Sequence, residues 1–241
     1  MIVDLTDPTR AVTPTLDGPV LAVLAAAGRA MTVGEIAAQT ARGSEIGVRR
    51  SLGRLVEQGI VRATEMGRNR VHELNRDHVA APIAVSLAAL RLELWRRLRE
   101  VLGKWKVRPV YACAFGSAAR GDGGPESDID VLLVHPPFPG EKRHGRSTTL
   151  RHVLGAAALD LTLPATTQGD ADRWRRQVDD LNPAVRSWTG NPLQVVDMSA
   201  FEWAERGRAS AALLEEIDRD AVVLFQPATL AAVASKVAKV K

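Results

Sequence analysis

The chain has 241 residues and an apolar content of 46%, enough for one large domain or two modest ones with buried cores. Its formal charge of +4 and pI near 9.6 permit nucleic-acid binding without requiring it. The lone cysteine, Cys113, excludes an internal disulfide, and no apolar run is long enough to span a bilayer; a cytoplasmic location without membrane contact is expected.

Residues 1–15 hold acids and prolines, not the apolar centre of a signal peptide, and read as an N-terminal tail. Gly18 to Ala27 is a short apolar helix ended by Gly28. Thr32, with Glu35 three residues on, is a capping box opening a second helix. Ser44 caps a third helix that runs to Gln58 and stops at Gly59. Ile60–Thr64 and Val71–Leu74 then read as strands around the turn Met66-Gly67-Arg68-Asn69. Three helices followed by a two-stranded wing is the layout of a winged helix-turn-helix, expected over residues 16–76. The phrases Thr32-Val-Gly-Glu-Ile-Ala-Ala and Val48-Arg-Arg-Ser-Leu-Gly-Arg-Leu-Val-Glu-Gln-Gly-Ile-Val resemble bacterial MarR- and ArsR-like regulators.

On the third helix Val48, Leu52, Leu55 and Val56 share one face and should be core. Arg49, Arg50 and Arg54 lie off that face. Arg50 and Arg54, one turn apart, are spaced to reach phosphates or base edges in a major groove, with Arg68 and Arg70 of the wing on neighbouring phosphates. Duplex DNA is the expected partner. The alternative is a solvated basic face offset by Glu45 and Glu57, on a module for protein contact or dimerisation. Residues 77–104 read as one long helix, with Asp77 as cap and a stripe of Ile83, Leu87, Leu90, Leu94 and Leu98. That stripe suits either a homodimer contact or packing between domains.

Residues 105–241 read as a second, α/β (α+β) domain. Phe115-Gly116-Ser117-Ala118-Ala119-Arg120-Gly121, then Ser127-Asp128-Ile129-Asp130 followed by apolar residues, reads as strand, glycine turn, helix start, loop and second strand. Alternation puts Asp128 and Asp130 on one side of that strand. Paired carboxylates repel unless a cation lies between them, and oxygen donors of this kind suit Mg²⁺. Gly116 lets backbone approach a ligand closely. Ser117 stands where a helix begins and free N–H groups attract phosphate.

Gly116-Ser117 followed by Asp128-x-Asp130 resembles the signature of the DNA polymerase β superfamily, in its minimal nucleotidyltransferase form. The resemblance implies a mixed sheet flanked by helices, an NTP substrate and Mg²⁺ on Asp128 and Asp130. It also implies phosphates at Gly116, Ser117 and Arg120, and transfer of a nucleoside monophosphate to an unknown acceptor. Arg120 is equally placed for a salt bridge to Asp122 or Glu126. Active members carry a third carboxylate on a following strand. Asp197, on 193–198, is the first candidate, although the family's carboxylate sits earlier, where this chain has Gln194. Asp160 on Leu159–Leu163 is the second, and absence of a third carboxylate remains open. Without one, the protein is a DNA-binding regulator whose second domain senses nucleotide. A third expectation is an antitoxin-like protein with a toxin-type partner, because minimal nucleotidyltransferases occur in such pairs.

Overall fold

The structure is a computed structural model that describes residues 2–124, 126–141, 165–204 and 211–226. The fold is α+β and divides into two compact units, residues 2–94 and 95–241. The division falls ten residues before the boundary expected at 104/105, inside a helix.

In the first unit α1 (Asp17–Ala27), β1 (Met31–Thr32), α2 (Val33–Gln39) and α3 (Glu45–Glu57) precede β2 (Val61–Met66) and β3 (Asn69–Leu74). The Thr32 hydroxyl accepts from the Glu35 N–H at 3.3 Å, and the Glu35 carboxylate accepts from the Thr32 N–H at 2.8 Å, so the capping box forms. Ser44 caps α3 through the Gly47 N–H. The strands form an antiparallel sheet in the order β1-β3-β2, a third strand more than the expected hairpin. Val20, Leu24, Ile36, Val48, Leu52, Leu55, Ile60 and Leu74 close the core between helices and sheet.

Helix α4 (Ala81–Lys104) starts four residues later than expected. Asp77 does not cap it; its carboxylate accepts from Arg62 instead, at 2.8 Å. The buried stripe is Ala84, Leu87, Leu94, Trp95, Leu98 and Leu102, whereas Ile83 is 63% exposed. The register is thus one residue off the expected stripe at its N-terminal end.

The second unit is built on a four-stranded mixed sheet in the order β6-β5-β4-β7. Its strands are β4 (Tyr111–Phe115), β5 (Ile129–His135), β6 (Leu193–Ser199) and β7 (Val222–Phe225). Only the β5–β6 pair is parallel among the described strands. The helices are α5 (Gly116–Arg120), α6 (Gln168–Thr189), α7 (Ala200–Ala204) and α8 (Ala211–Asp220). One face of the sheet holds Cys113, Phe115, Leu132 and Val134 against Trp203 of α7 and Ile217 of α8, with Val196 and Met198 beside them. Alternation assigns Val195 and Asp197 to the other face, where Trp174 of α6 lies. Trp174, 1% exposed, fills the core, whereas Trp188 is half-buried with the Arg97 guanidinium 5.8 Å above its ring. The segment Leu159–Leu163 and the candidate Asp160 on it lie outside the described residues. Among the described residues no helix is long and apolar enough to cross a membrane.

Candidate active site

The β4–α5 turn brings the site together. Gly116 has φ of +70°, a left-handed conformation that disfavours any residue with a Cβ. The register Phe115↔Asp130 hangs the Asp130 side chain over this turn. A Cβ at 116 would lie 2.5 Å from Asp130 Oδ2, so glycine is required by conformation and by space. The following loop folds back on α5: a Cβ at Gly123 would lie 2.6 Å from Ser117 Oγ and 2.7 Å from Ser127 Oγ.

Asp128 stands just before β5, held by its neighbours' backbone. Buried Asn191 donates from Nδ2 to the Ser127 carbonyl at 3.1 Å, and the Ile129 N–H donates to the Pro192 carbonyl at 3.0 Å. Asp128 and Asp130 are both half-buried. Burial, then the negative charges of Asp128 and Glu216, push the Asp130 carboxyl above the usual carboxylate range, while Arg120 acts the other way. Such an excess of negative charge on hard oxygen donors is what a divalent cation relieves, so these residues fit Mg²⁺.

Gln194 pairs in register with Asp130 across the parallel β5–β6 ladder, and its Nε2 donates to Asp128 Oδ2 at 3.1 Å. The strand position beside the two carboxylates is therefore an amide. Asp197 is not brought to them. Three residues along β6 from Gln194 it takes the opposite face, where both its oxygens accept from Trp174 Nε1 at 3.1 and 3.0 Å. Burial raises its carboxyl, the Trp174 hydrogen bond and nearby His135 oppose that, and Glu202 adds to it. This geometry counts against Asp197 as partner of Asp128 and Asp130, the odd spacing in a regular strand being the reason.

Arg120 is engaged by carboxylates. Its Nε donates to Asp122 at 2.9 Å and its Nη1 to Asp220 at 3.4 Å. It therefore clasps α8 to α5 in this state. Cys113 is buried in β4; burial pushes its thiol up to about 11, against a hydrogen bond with Tyr111, so it is no nucleophile at neutral pH.

In the first unit a cleft of about 670 Å³ lies between α3 and the β2–β3 hairpin, lined by Arg49, Gly53, Arg68, Arg70 and His72 among others. Arg49 pairs with Glu45 at 2.9 Å, and Arg70 stands 4.0 Å from Glu65. Arg54 donates to Asp17 at 2.6 Å, locking α3 to α1. Burial raises the Asp17 carboxyl, but hydrogen bonds from Ser51, Arg54 and Thr15 more than offset this and hold it low. Arg50 and Arg68 have no ion pair among the described residues.

A family model described as a nucleotidyltransferase domain matches residues 95–176. The match begins where the second unit begins and contains the glycine turn and both carboxylates. It supports nucleotidyl transfer as the chemistry of this segment at family level, with an NTP as substrate; such domains typically use divalent metals. It ends before β6, so Gln194 and Asp197 fall beyond it. No curated protein matches the chain. Sequence reasoning missed Asn191, which pins the Asp128 segment, and Glu216, whose charge reaches Asp130 from α8. No local pattern marks either.

Proposed function

We propose that the second unit binds a magnesium–NTP complex at Gly116, Ser117, Asp128 and Asp130 and transfers the nucleoside monophosphate to an acceptor hydroxyl, releasing pyrophosphate. The observation that carries this is Asp130 over the positive-φ Gly116, with half-buried Asp128 two residues before it; burial first, then the Asp128 charge, hold the Asp130 carboxyl above its usual range. Mg²⁺ on Asp128 and Asp130 would supply charge neutralisation at the attacking and leaving oxygens. The chain's own part is positional. Asp130 sits over the turn, Gln194 orients Asp128, and the loop carrying Gly123 and Ser127 folds against Ser117.

The first unit is proposed as a winged helix-turn-helix that binds duplex DNA. Arg50 and Arg68 form no ion pair among the described residues, and Arg49 and Arg70 are weakly held partners at the surface. Arg54, engaged by Asp17, serves the fold first.

Calorimetry of the full chain with Mg²⁺ and each NTP tests the first proposal. Binding by wild type and none by the Asp128→Ala, Asp130→Ala double variant is the expected result; equal binding by both overturns it. A second reading, a regulator that senses nucleotide without turnover, is favoured by the amide of Gln194 at the strand position beside the pair.

A further inference from the structure

We propose that the cleft between α3 and the β2–β3 hairpin is a small-molecule site for a nucleoside phosphate, with the phosphate at Arg49, Arg68 and Arg70 and the base at the inner end beside His72. The cleft lies wholly within the first unit and shares no residue with the site around Asp128 and Asp130. Its volume of about 670 Å³ is within the range of small-ligand sites. The α3 wall is one side of that helix: Glu45, Arg49, Gly53 and Glu57 follow one another a turn apart, with buried Leu52 and half-buried Val56 next to them.

Two glycines in the walls, Gly34 of α2 and Gly53 of α3, are bare where the fold does not require it. Both lie within helices, where glycine is less favourable than alanine, and a Cβ at either would meet no packing neighbour within 4 Å. Gly47 on α3 differs, because a Cβ there would lie 2.8 Å from Leu16 Cδ1. Packing thus accounts for Gly47 and not for Gly34 or Gly53. Bare backbone at both places lets a flat ring come closer to the walls than side chains would allow.

His72 gives a second, independent reason. Arg70, His72 and Leu74 share one face of β3; Leu74 belongs to the core and Arg70 is exposed, so His72 stands between core and rim. It is 5% exposed, and its Nδ1 has no hydrogen-bond partner among the described residues. Burial, then Arg70, hold the imidazole below its usual range, against the Met31 backbone and Glu65, so the ring is neutral at neutral pH. Its hydrogen bond with the Met31 backbone favours the protonated ring, which makes the ring the donor there and leaves Nδ1 as an acceptor. Buried polar atoms are nearly always paired, and the ring N–H or amine of a base is a donor that would pair this one. A DNA backbone or inorganic phosphate would satisfy the arginines at the rim and leave Nδ1 as it is. Arg49, Arg68 and Arg70 are also proposed for duplex DNA; on that reading, ligand and duplex exclude each other.

The test uses the full chain carrying Asp128→Ala and Asp130→Ala, in EDTA, so that binding at the second unit does not contribute. Calorimetry with AMP, CMP, GMP and UMP is compared with inorganic phosphate, and then repeated with Gly53→Leu or His72→Phe added. Expected is binding of at least one nucleotide, with inorganic phosphate and both added variants weaker by about tenfold or more. Gly53→Leu places a side chain in the cleft and is expected to keep or raise the melting temperature; where one variant fails to melt cooperatively, the other decides. No nucleotide bound, phosphate bound as tightly as any nucleotide, or unchanged affinity in a folded variant each overturns the inference. Displacement of a labelled duplex by the bound nucleotide, read by anisotropy, supports the shared arginines, and a duplex left in place by saturating nucleotide contradicts them. A chain that binds no duplex ends the DNA reading alone, and calorimetry still decides the site.

Discussion

Asp130 is costly to the fold in the form that binding needs. Its carboxyl is pushed up by burial and by like charges, so the native state holds a proton over a pH window where the unfolded chain does not. Stability therefore falls as pH rises through that window and recovers as pH falls below the raised value. Asp130→Asn is expected to melt higher than wild type at neutral pH without Mg²⁺ and to lose Mg²⁺–NTP binding. Its melting advantage shrinks as pH is lowered; scanning calorimetry across pH reads this directly. Gly116→Ala faces a left-handed φ and a Cβ 2.5 Å from Asp130 Oδ2, so it is expected to lower the melting temperature and displace that carboxylate. The backbone term alone is about 1–3 kcal/mol. The strand–turn–helix–strand placement of Gly116, Ser117, Asp128 and Asp130 was legible in the sequence because turn and hairpin are contiguous and their spacing is local. The Arg120–Asp122 pair is one of the local alternatives the sequence offers, whereas Asp220 and Asp17, 100 and 37 residues from Arg120 and Arg54, come to those guanidinium groups only through the fold. Gln194 and Glu216 emerge only from the register of a parallel ladder and from helix packing, which no local pattern carries.

Helix caps and periodicities fared unequally for the same reason. Thr32-x-x-Glu35 and Ser44 are local signals, and both caps form at the expected residues. Thr32→Ala is expected to cost about 1 kcal/mol, seen as a lower midpoint in urea with unchanged slope. Asp77 had the same look, but Arg62 from the neighbouring strand β2 takes its carboxylate and α4 begins at Ala81. The apolar residues of α4 admit two overlapping stripes, and packing chose the one that buries Ala84 and Trp95 over the one that buries Ile83. On α3 and the β2–β3 hairpin the DNA expectation rests on Arg49, Arg50, Arg54, Arg68 and Arg70, of which Arg50 and Arg68 form no ion pair among the described residues. Arg50→Ala and Arg68→Ala in the full chain are each expected to weaken duplex binding and reduce its salt dependence, read by fluorescence anisotropy over a salt series. Arg54→Ala is expected to lower the melting temperature instead, since it breaks the 2.6 Å bond to Asp17.

The proposal of DNA contact joined to nucleotide chemistry rests on two units, one with basic side chains on a helix and hairpin and one whose residues 95–176 match a nucleotidyltransferase family model. The α+β class and the mixed four-stranded sheet follow from the strand–turn–helix–strand pattern, which the sequence displays openly. The unit boundary was harder to see, because it falls between Leu94 and Trp95 inside α4, far from Pro82 and Gly103 of the same helix. Everything proposed for the second unit depends on Asp128 and Asp130 acting as one site. Release of pyrophosphate from α-phosphate-labelled NTP, with label appearing in an acceptor, is the most direct measure of it, taken side by side for wild type and the Asp128→Ala, Asp130→Ala double variant. Mg²⁺-dependent transfer by wild type and none by the folded double variant is the expected result. Equal transfer by both, or none by wild type with every NTP, would contradict it.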